Sequence, residues 1–260
     1  MKGRSICITT ALAVGCLIAS ITVGQAAQVK VFASVALKSV LNNLSLAYEK
    51  KSDNTLLVTY GLAADLMKRI ADREAVDVVI LTRGMINDLQ KQNKLAAGSA
   101  VNLADTEVSV VAKAGMPKPD ISSVEAFRKA LLGAKSVAYS DPAKGGLSGV
   151  VSEQAIERLG ITKQMSGKAV LVAGGQAAEA VAAGDAEIGI AQSSEIVPVA
   201  GVQLIGPLPG NLASVTVFAG AIGIESASAE SAKGLIDFLE GLEAAPTFEA
   251  NGFEPQQETR

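Results

Sequence analysis

Short segments rich in glycine, serine and alanine follow six predicted strands, and each leads into a predicted helix. Backbone N–H groups approach a ligand closely where no Cβ intervenes, and the first turn of a helix leaves its N–H groups unpaired. With the partial positive charge of a helix N-terminus, these donors suit a carboxylate or an oxyanion. The predicted ligand-binding residues are Ser34, Val35, Ala36, Tyr60, Gly61, Leu62, Ala63, Thr82, Gly145, Gly146, Ser148, Gly149, Gly175, Gln176 and Gln192.

Two basic residues lie in the same turns and complete the predicted anion site. Arg83 follows an apolar strand, where a planar guanidinium suits two hydrogen bonds to a carboxylate. Lys144 precedes a pair of glycines in the longest turn. An ordinary solvated charge is the alternative interpretation of each. The glycine-rich turn is not a P-loop, because it lacks the G-x-x-x-x-G-K-[ST] spacing.

The first 26 residues have the pattern of a secretory signal peptide. A cationic start at Met1–Arg4 precedes an apolar run from Ile6 to Val23, and small residues precede a predicted cleavage after Ala26. A retained membrane anchor and a lipoprotein attached through Cys16 are the alternatives. The run is short for a membrane span, and a lipoprotein would keep an apolar stretch at its N-terminus. We therefore predict export and cleavage.

The chain after residue 26 has 21 basic and 26 acidic residues and contains no cysteine, histidine or tryptophan. This composition excludes thiolate or imidazole metal sites and catalysis by Ser-His-Asp or Cys-His groups. We predict neither a metal nor a cofactor. The mildly acidic balance also argues against nucleic acid as a partner.

Alternating strand and helix patterns predict an α/β fold. The apolar segments Val29–Ala33, Leu56–Tyr60 and Val76–Leu81 are each followed by helical periodicity, which predicts a parallel sheet covered on both faces. A second set of such units follows residue 106, and Ser122 with Glu125 suggests a capping box for one of its helices. We predict two lobes joined by two hinge crossings, each a mostly parallel sheet flanked by helices. Lobe 1 comprises residues 27–105 and 212–260, and lobe 2 comprises residues 106–211.

Several segments resemble the molybdate-type periplasmic solute-binding proteins of ABC importers: VFASVAL, VTYGLAADLMKRI, AVDVVILTRGMINDL, SVAYSDPAKGGLSG, AEIGIAQSSEI and NGFEP. The resemblance covers nearly the whole chain after residue 26. It implies a type II periplasmic-binding fold, in which two lobes close over a ligand. It also implies a periplasmic monomer that delivers a small anion to a permease in the inner membrane.

The family's molybdate ligands do not carry over well. Ala36, Leu62 and Ala63 stand where the family has serines, and Gln192 stands where it has a cleft tyrosine. Each lost hydroxyl leaves a ligand oxygen unpaired, at a cost of about 1–3 kcal/mol. We therefore expect a di- or tricarboxylate rather than molybdate.

The sequence is also similar to the periplasmic aconitate isomerases, which share this fold. That similarity implies a polycarboxylate ligand and an alternative function, the allylic proton shift that interconverts cis- and trans-aconitate. In a chain without histidine, the predicted proton carriers are Tyr60, Lys144, Asp141 or a bound water.

Overall fold

The computed structural model describes residues 27–144 and 146–256. The predicted signal peptide with Cys16, and the predicted ligand-binding residue Gly145, lie outside the described residues. Among the helices within those two ranges, none is long and apolar enough to cross a membrane.

Strands and helices alternate along most of the chain. The strands are β1 (Gln28–Ser34), β2 (Thr55–Gly61), β3 (Val78–Thr82), β4 (Val101–Lys113), β5 (Val137–Ser140), β6 (Ala169–Val172), β7 (Ile188–Gln192), β8 (Val202–Pro207), β9 (Val215–Ile222) and β10 (Glu254–Pro255). The helices are α1 (Lys38–Ser52), α2 (Ala63–Ala71), α3 (Arg83–Lys91), α4 (Val124–Gly133), α5 (Leu147–Arg158), α6 (Thr162–Met165), α7 (Ala177–Ala183), α8 (Ser193–Ile196), α9 (Ala229–Glu240) and α10 (Ala245–Ala250). Short 3₁₀ turns cover Val35–Leu37, Pro142–Lys144 and Gly210–Leu212.

The first half of the sheet is covered by helices on both faces. β2, β1 and β3 are parallel, and β9 lies antiparallel between β3 and β4. Successive residues of β1 point to opposite faces, so Val31 packs with α1, α9 and α10, whereas Phe32 packs with α2 and α3. The continuous apolar runs of the sequence follow from this burial on two faces.

The second half repeats the arrangement with different strands. β7, β5 and β6 are parallel, and β4 pairs antiparallel with β7 and with β8. Tyr139 of β5 packs with α4, α5 and α6, and its neighbour Ala138 packs with α7 and α8. Each half of the sheet therefore has two hydrophobic cores, one on each face.

A single long strand connects the two halves. Residues 101–107 of β4 pair with β9, and residues 108–113 pair with β7 and β8. The chain returns through the segment between β8 and β9. We call the half with β1–β3 and β9 lobe 1 and the half with β5–β8 lobe 2. The two-lobed α/β fold predicted from the sequence is confirmed.

Two local predictions differ from the structure. β4 begins at Val101, although the sequence pattern predicted the second set of units only after residue 106. The prediction of a capping box by Ser122 and Glu125 was wrong. Ser123 is the N-cap of α4, and its hydroxyl accepts the bond from the N–H of Ala126 at 3.1 Å. Ser122 instead donates its hydroxyl to the Asp120 carboxylate at 2.7 Å, which keeps it outside the helix.

Candidate functional site

The carboxyl ends of strands from both lobes meet at one nearly closed cleft between the lobes, with a free volume of about 10 Å³. Ligands bind in such positions in open α/β sheets, next to helix N-termini. Nine residues predicted from the sequence line this cleft: Ser34, Val35, Ala36, Leu62, Ala63, Gly146, Ser148, Gly175 and Gln192. Four further lining residues were not among the predicted site residues: Ser140, Leu147, Gly174 and Glu195.

Lobe 1 contributes backbone donors and apolar side chains. The buried Ser34 hydroxyl accepts a weak bond from the N–H of Ala36 at 3.5 Å, and within the described residues it donates to no other group. Leu62 is the N-cap of α2 and offers no side-chain bond to the first turn. The N–H groups of that turn therefore lie at the cleft without a side-chain cap.

Lobe 2 brings a second uncapped helix to the same cleft. Gly146 is the N-cap of α5 and likewise supplies no side-chain bond. Gly149 lies one turn further on, and a Cβ there would overlap the carbonyl of Ser140. Because Gly149 has no Cβ, α5 packs directly on the end of β5. The Ser140 and Ser148 hydroxyls are thereby 3.2 Å apart, and the N–H of Gly175 donates to Ser140 at 3.3 Å.

One carboxyl group completes the polar wall of lobe 2. Glu195, in α8, accepts hydrogen bonds at Oε2 from the Ser148 hydroxyl at 3.3 Å and from the N–H of Gln192 at 3.2 Å. Burial raises the pKa of Glu195 to about 7, and the nearby charge of Glu179 adds to the rise, although both hydrogen bonds oppose it. Among the thirteen lining residues, it is the only carboxylic acid, and none is a lysine or an arginine.

The two lobes touch across the cleft. A Cβ on Gly174 of lobe 2 would collide with the side chain of Leu62 in lobe 1. A Cβ on the adjacent Gly175 would lie 3.7 Å from the Val35 side chain. The turn after β6 therefore packs closely against Leu62 and Val35 of lobe 1.

Seven of the other predicted site residues lie outside the cleft lining. Gly61 packs against α2, where a Cβ on it would lie 3.0 Å from the Leu66 side chain. Thr82 caps α3, since its hydroxyl accepts a bond from the N–H of Met85. Gly149 and Gln176 belong to the start of α5 and α7. The remaining three are Tyr60, Arg83 and Lys144.

The predicted cations and proton carriers have other neighbours. Tyr60 donates its hydroxyl to Asn42 at 2.8 Å, and burial raises the pKa of Tyr60 to about 12. Lys144 pairs with Asp141 at 3.4 Å near the cleft and is largely exposed. Within the described residues, Nη1 of Arg83 is buried without a hydrogen-bond partner. The roles proposed for these side chains stay predictions.

A local sequence signal for Glu195 does exist. It stands three residues after Gln192, at the helix position whose carboxylate reaches back to the N-cap N–H. Ser140 is the last residue of a predicted strand, and Gly174 lies in a predicted turn. Neither signal indicates by itself that the side chain faces a ligand.

Sequence comparisons find a matching family and a similar protein, each over most of the chain. The sequence model of a family described as bacterial extracellular solute-binding protein matches residues 29–254. An aconitate isomerase from a Pseudomonas species is 30% identical over 253 residues, which cover 94% of this chain and 95% of the relative.

Solved structures share the fold at lower identity. The periplasmic molybdate-binding protein of Azotobacter vinelandii has a TM-score of 0.72 at 20% identity, covering 88% of this chain and 100% of its own. The sulfate-binding protein SubI of Mycobacterium tuberculosis has a TM-score of 0.68 at 16% identity, covering 89% of this chain and 88% of its own.

Proposed function

The chain belongs to the family of bacterial extracellular solute-binding proteins, and on that premise we propose that it binds a small di- or tricarboxylate between its lobes. We further propose that it does so in the periplasm and delivers the ligand to an ABC permease. The cleft supports the class of ligand, and membership of the family supports the location and the permease partner.

The observation that carries this proposal is the pairing of two uncapped helix N-termini. α2 from lobe 1 and α5 from lobe 2 begin at the same cleft, and neither has a side-chain cap. Each N-terminus supplies unpaired N–H donors and about half a positive charge. Anionic groups on a bound molecule would be met from both sides, which favours the closed arrangement of the lobes.

The side chains favour a carbon skeleton over a compact oxyanion. Val35, Leu62 and Leu147 place apolar groups among the donors, and the hydroxyls come from Ser34, Ser140 and Ser148. A tetrahedral oxyanion would leave oxygens facing Ala36 and Ala63, at about 1–3 kcal/mol for each unpaired group. A polycarboxylate presents both charged ends and methylene or vinyl carbons, which suits this mixture.

A thermal-shift panel tests the proposal. Purified protein is heated with trans-aconitate, citrate, sulfate or molybdate at pH 7. We expect the polycarboxylates to raise the unfolding temperature, with the stabilisation growing as RT ln(1 + [L]/Kd). Molybdate or sulfate as the best ligand, or a flat response to the whole panel, would contradict the proposal.

We propose, as a second candidate, that the protein isomerises its ligand. The relative at 30% identity is an aconitate isomerase, and a carboxyl group stands in the cleft where a pure anion receptor has no need of one. Incubation with trans-aconitate in D₂O separates the two functions. Isomerised, deuterated product in the NMR spectrum supports an enzyme, whereas broadened but unchanged signals support a receptor without turnover.

A further inference from the structure

We propose that Glu195 is the proton-carrying catalytic residue of the cleft. Its carboxylate takes a proton from the allylic methylene of an unsaturated tricarboxylate and returns a proton to the other end of the allylic system. This inference rests on the second candidate function, the isomerisation, and assigns that reaction a residue that is not among the proton carriers predicted from the sequence.

The position of Glu195 carries the proposal. Of the thirteen described residues that line the cleft, Glu195 alone has a side chain that titrates in the neutral range. Within the described residues, its hydrogen bonds from Ser148 and Gln192 both end on Oε2. The other oxygen, Oε1, lies 3.6 Å from the position of a Cβ on Gly175 and so faces the turn at the cleft. One oxygen is held in place while the other is available to a substrate.

The proposed reaction balances without any co-reactant. The Glu195 carboxylate accepts the methylene proton, and the electron pair of the broken C–H bond enters the allylic system, which becomes a delocalised carbanion. The double bond moves by one carbon when the carbon that was vinylic takes a proton from the Glu195 carboxylic acid. The carboxylate is then restored, and no atom or electron has been gained or lost.

The cleft also supplies what the intermediate needs. Removal of the proton places extra negative charge on the substrate, and preorganised donors stabilise such developing charge more effectively than water does. The first turns of α2 and α5 provide these donors from opposite lobes. In this proposal, Glu195 removes the proton, and the N-termini of α2 and α5 stabilise the negative charge that results.

The surroundings of Glu195 set its proton affinity. The elements packed against α8 are β4, β7, β8, α7 and the 3₁₀ turn after β1, and α5 contacts α8 through Ser148. Their charged residues are Glu179 on α7, Asp105, Glu107 and Lys113 on β4, and Glu153, Glu157 and Arg158 on α5. Of these, the charge of Glu179 contributes to the raised pKa of Glu195, after burial. A general base is most efficient when its pKa is near the working pH, and this one is about 7.

The test compares Glu195→Gln with the wild type and with Glu157→Gln, which changes an exposed glutamate of α5. Turnover of trans-aconitate and deuterium uptake are followed by NMR in D₂O, and binding of trans-aconitate is followed by thermal shift. We expect Glu195→Gln to bind but to lose turnover and deuterium uptake by about 10²–10⁴-fold, as for loss of a general base. Glu157→Gln should match the wild type.

The outcomes distinguish the separate claims. A wild type that binds trans-aconitate without turnover overturns the isomerisation and this inference but leaves the binding function standing. Turnover by Glu195→Gln within about tenfold of the wild type, well short of the loss expected for a missing general base, overturns the role of Glu195 alone. No binding by the wild type overturns all three. If Glu195→Gln does not fold, the wild-type pH profile decides: kcat/KM should fall tenfold per pH unit below about 7, and a flat profile overturns the proposal.

Discussion

The Oε2 atom of Glu195 lies 3.3 Å from the hydroxyl of Ser148, and this contact joins the short helix α8 to the first turn of α5. Ser148 also lies 3.2 Å from the hydroxyl of Ser140. The three side chains form one hydrogen-bonded row along the wall of lobe 2. Lobe 1 faces this row with backbone donors and apolar groups, so the two walls of the cleft differ in chemistry.

The raised pKa of Glu195 predicts a pH-dependent cost in stability. Its pKa rises from 4.5 to about 7 on folding, so the folded state holds the proton more tightly than the unfolded chain does. The stabilisation is complete below pH 4.5 and is lost as the pH rises through 7. Without ligand, we expect the wild type to lose up to about 3 kcal/mol relative to Glu195→Gln over this range. Chemical denaturation at pH 4.5 and pH 8 measures the difference.

Glu157→Gln is the control for this measurement, because its side chain is exposed on α5. Its free energy of unfolding should stay at a constant offset from the wild type across the same range. Parallel curves for the wild type and Glu195→Gln would show that Glu195 titrates normally.

Ser148→Ala should weaken binding of a polycarboxylate. The variant removes a hydroxyl that lines the cleft and lies beside the N-terminus of α5. A hydrogen bond to a charged group contributes about 1.5–3 kcal/mol, which corresponds to about a 10- to 150-fold rise in Kd. Titration calorimetry with trans-aconitate measures it. Ser152→Ala is the matched control, since that buried hydroxyl donates to the Ser148 carbonyl inside the helix. Equal effects of the two variants would place Ser148 outside the binding site.

Gly174→Ala should prevent the lobes from closing completely. Its added Cβ would collide with Leu62 of the opposite lobe. Overpacking of this kind costs about 1–3 kcal/mol, so Kd should rise by about 5- to 150-fold. In a Leu62→Ala background, Gly174→Ala should raise Kd by less than it does in the wild type, because the colliding side chain is gone. If Gly174→Ala raises Kd equally in both backgrounds, the contact between the lobes is not the cause.

Lys144→Ala should change affinity modestly and in a salt-dependent way. The side chain is exposed and already pairs with Asp141 close to the cleft. Such a peripheral charge steers an anion at long range, and exposed pairs contribute about 0.2–1 kcal/mol. Kd should rise by up to about fivefold at low ionic strength and match the wild type near 1 M salt, where screening acts within about 3 Å. Lys163→Ala, an exposed cation of α6, is the control. A loss that persists at high salt would indicate direct contact with the ligand.

Much of the fold could be predicted because its signals are local. The apolar runs of β1 and β3 and the periodicity of α1 identify buried strands and an amphipathic helix from a few neighbouring residues. β8 and the first residues of β4 were missed, since their pattern alternates polar and apolar residues irregularly. Pairing partners in the sheet stabilise those segments, and the partners are distant in sequence.

The candidate site could also be predicted only in part. Strand-to-helix turns at Ser34, Leu62 and Ser148 could be identified because parallel strands place their carboxyl ends at one edge. Arg83 was an equally reasonable candidate from its position, yet it does not line the cleft. Which side chain of a turn points inward depends on the packing of the neighbouring helices, and no local pattern records it.

The sequence by itself determined the alternation of strands and helices, the two uncapped helix starts and the absence of histidine and cysteine after residue 26. Only the tertiary structure decided that Glu195 stands beside Ser148, from which it is separated by 47 positions along the chain. A pKa depends on burial and on neighbours in space. The proton affinity of Glu195 therefore arises only when α5, α7 and α8 have packed around it.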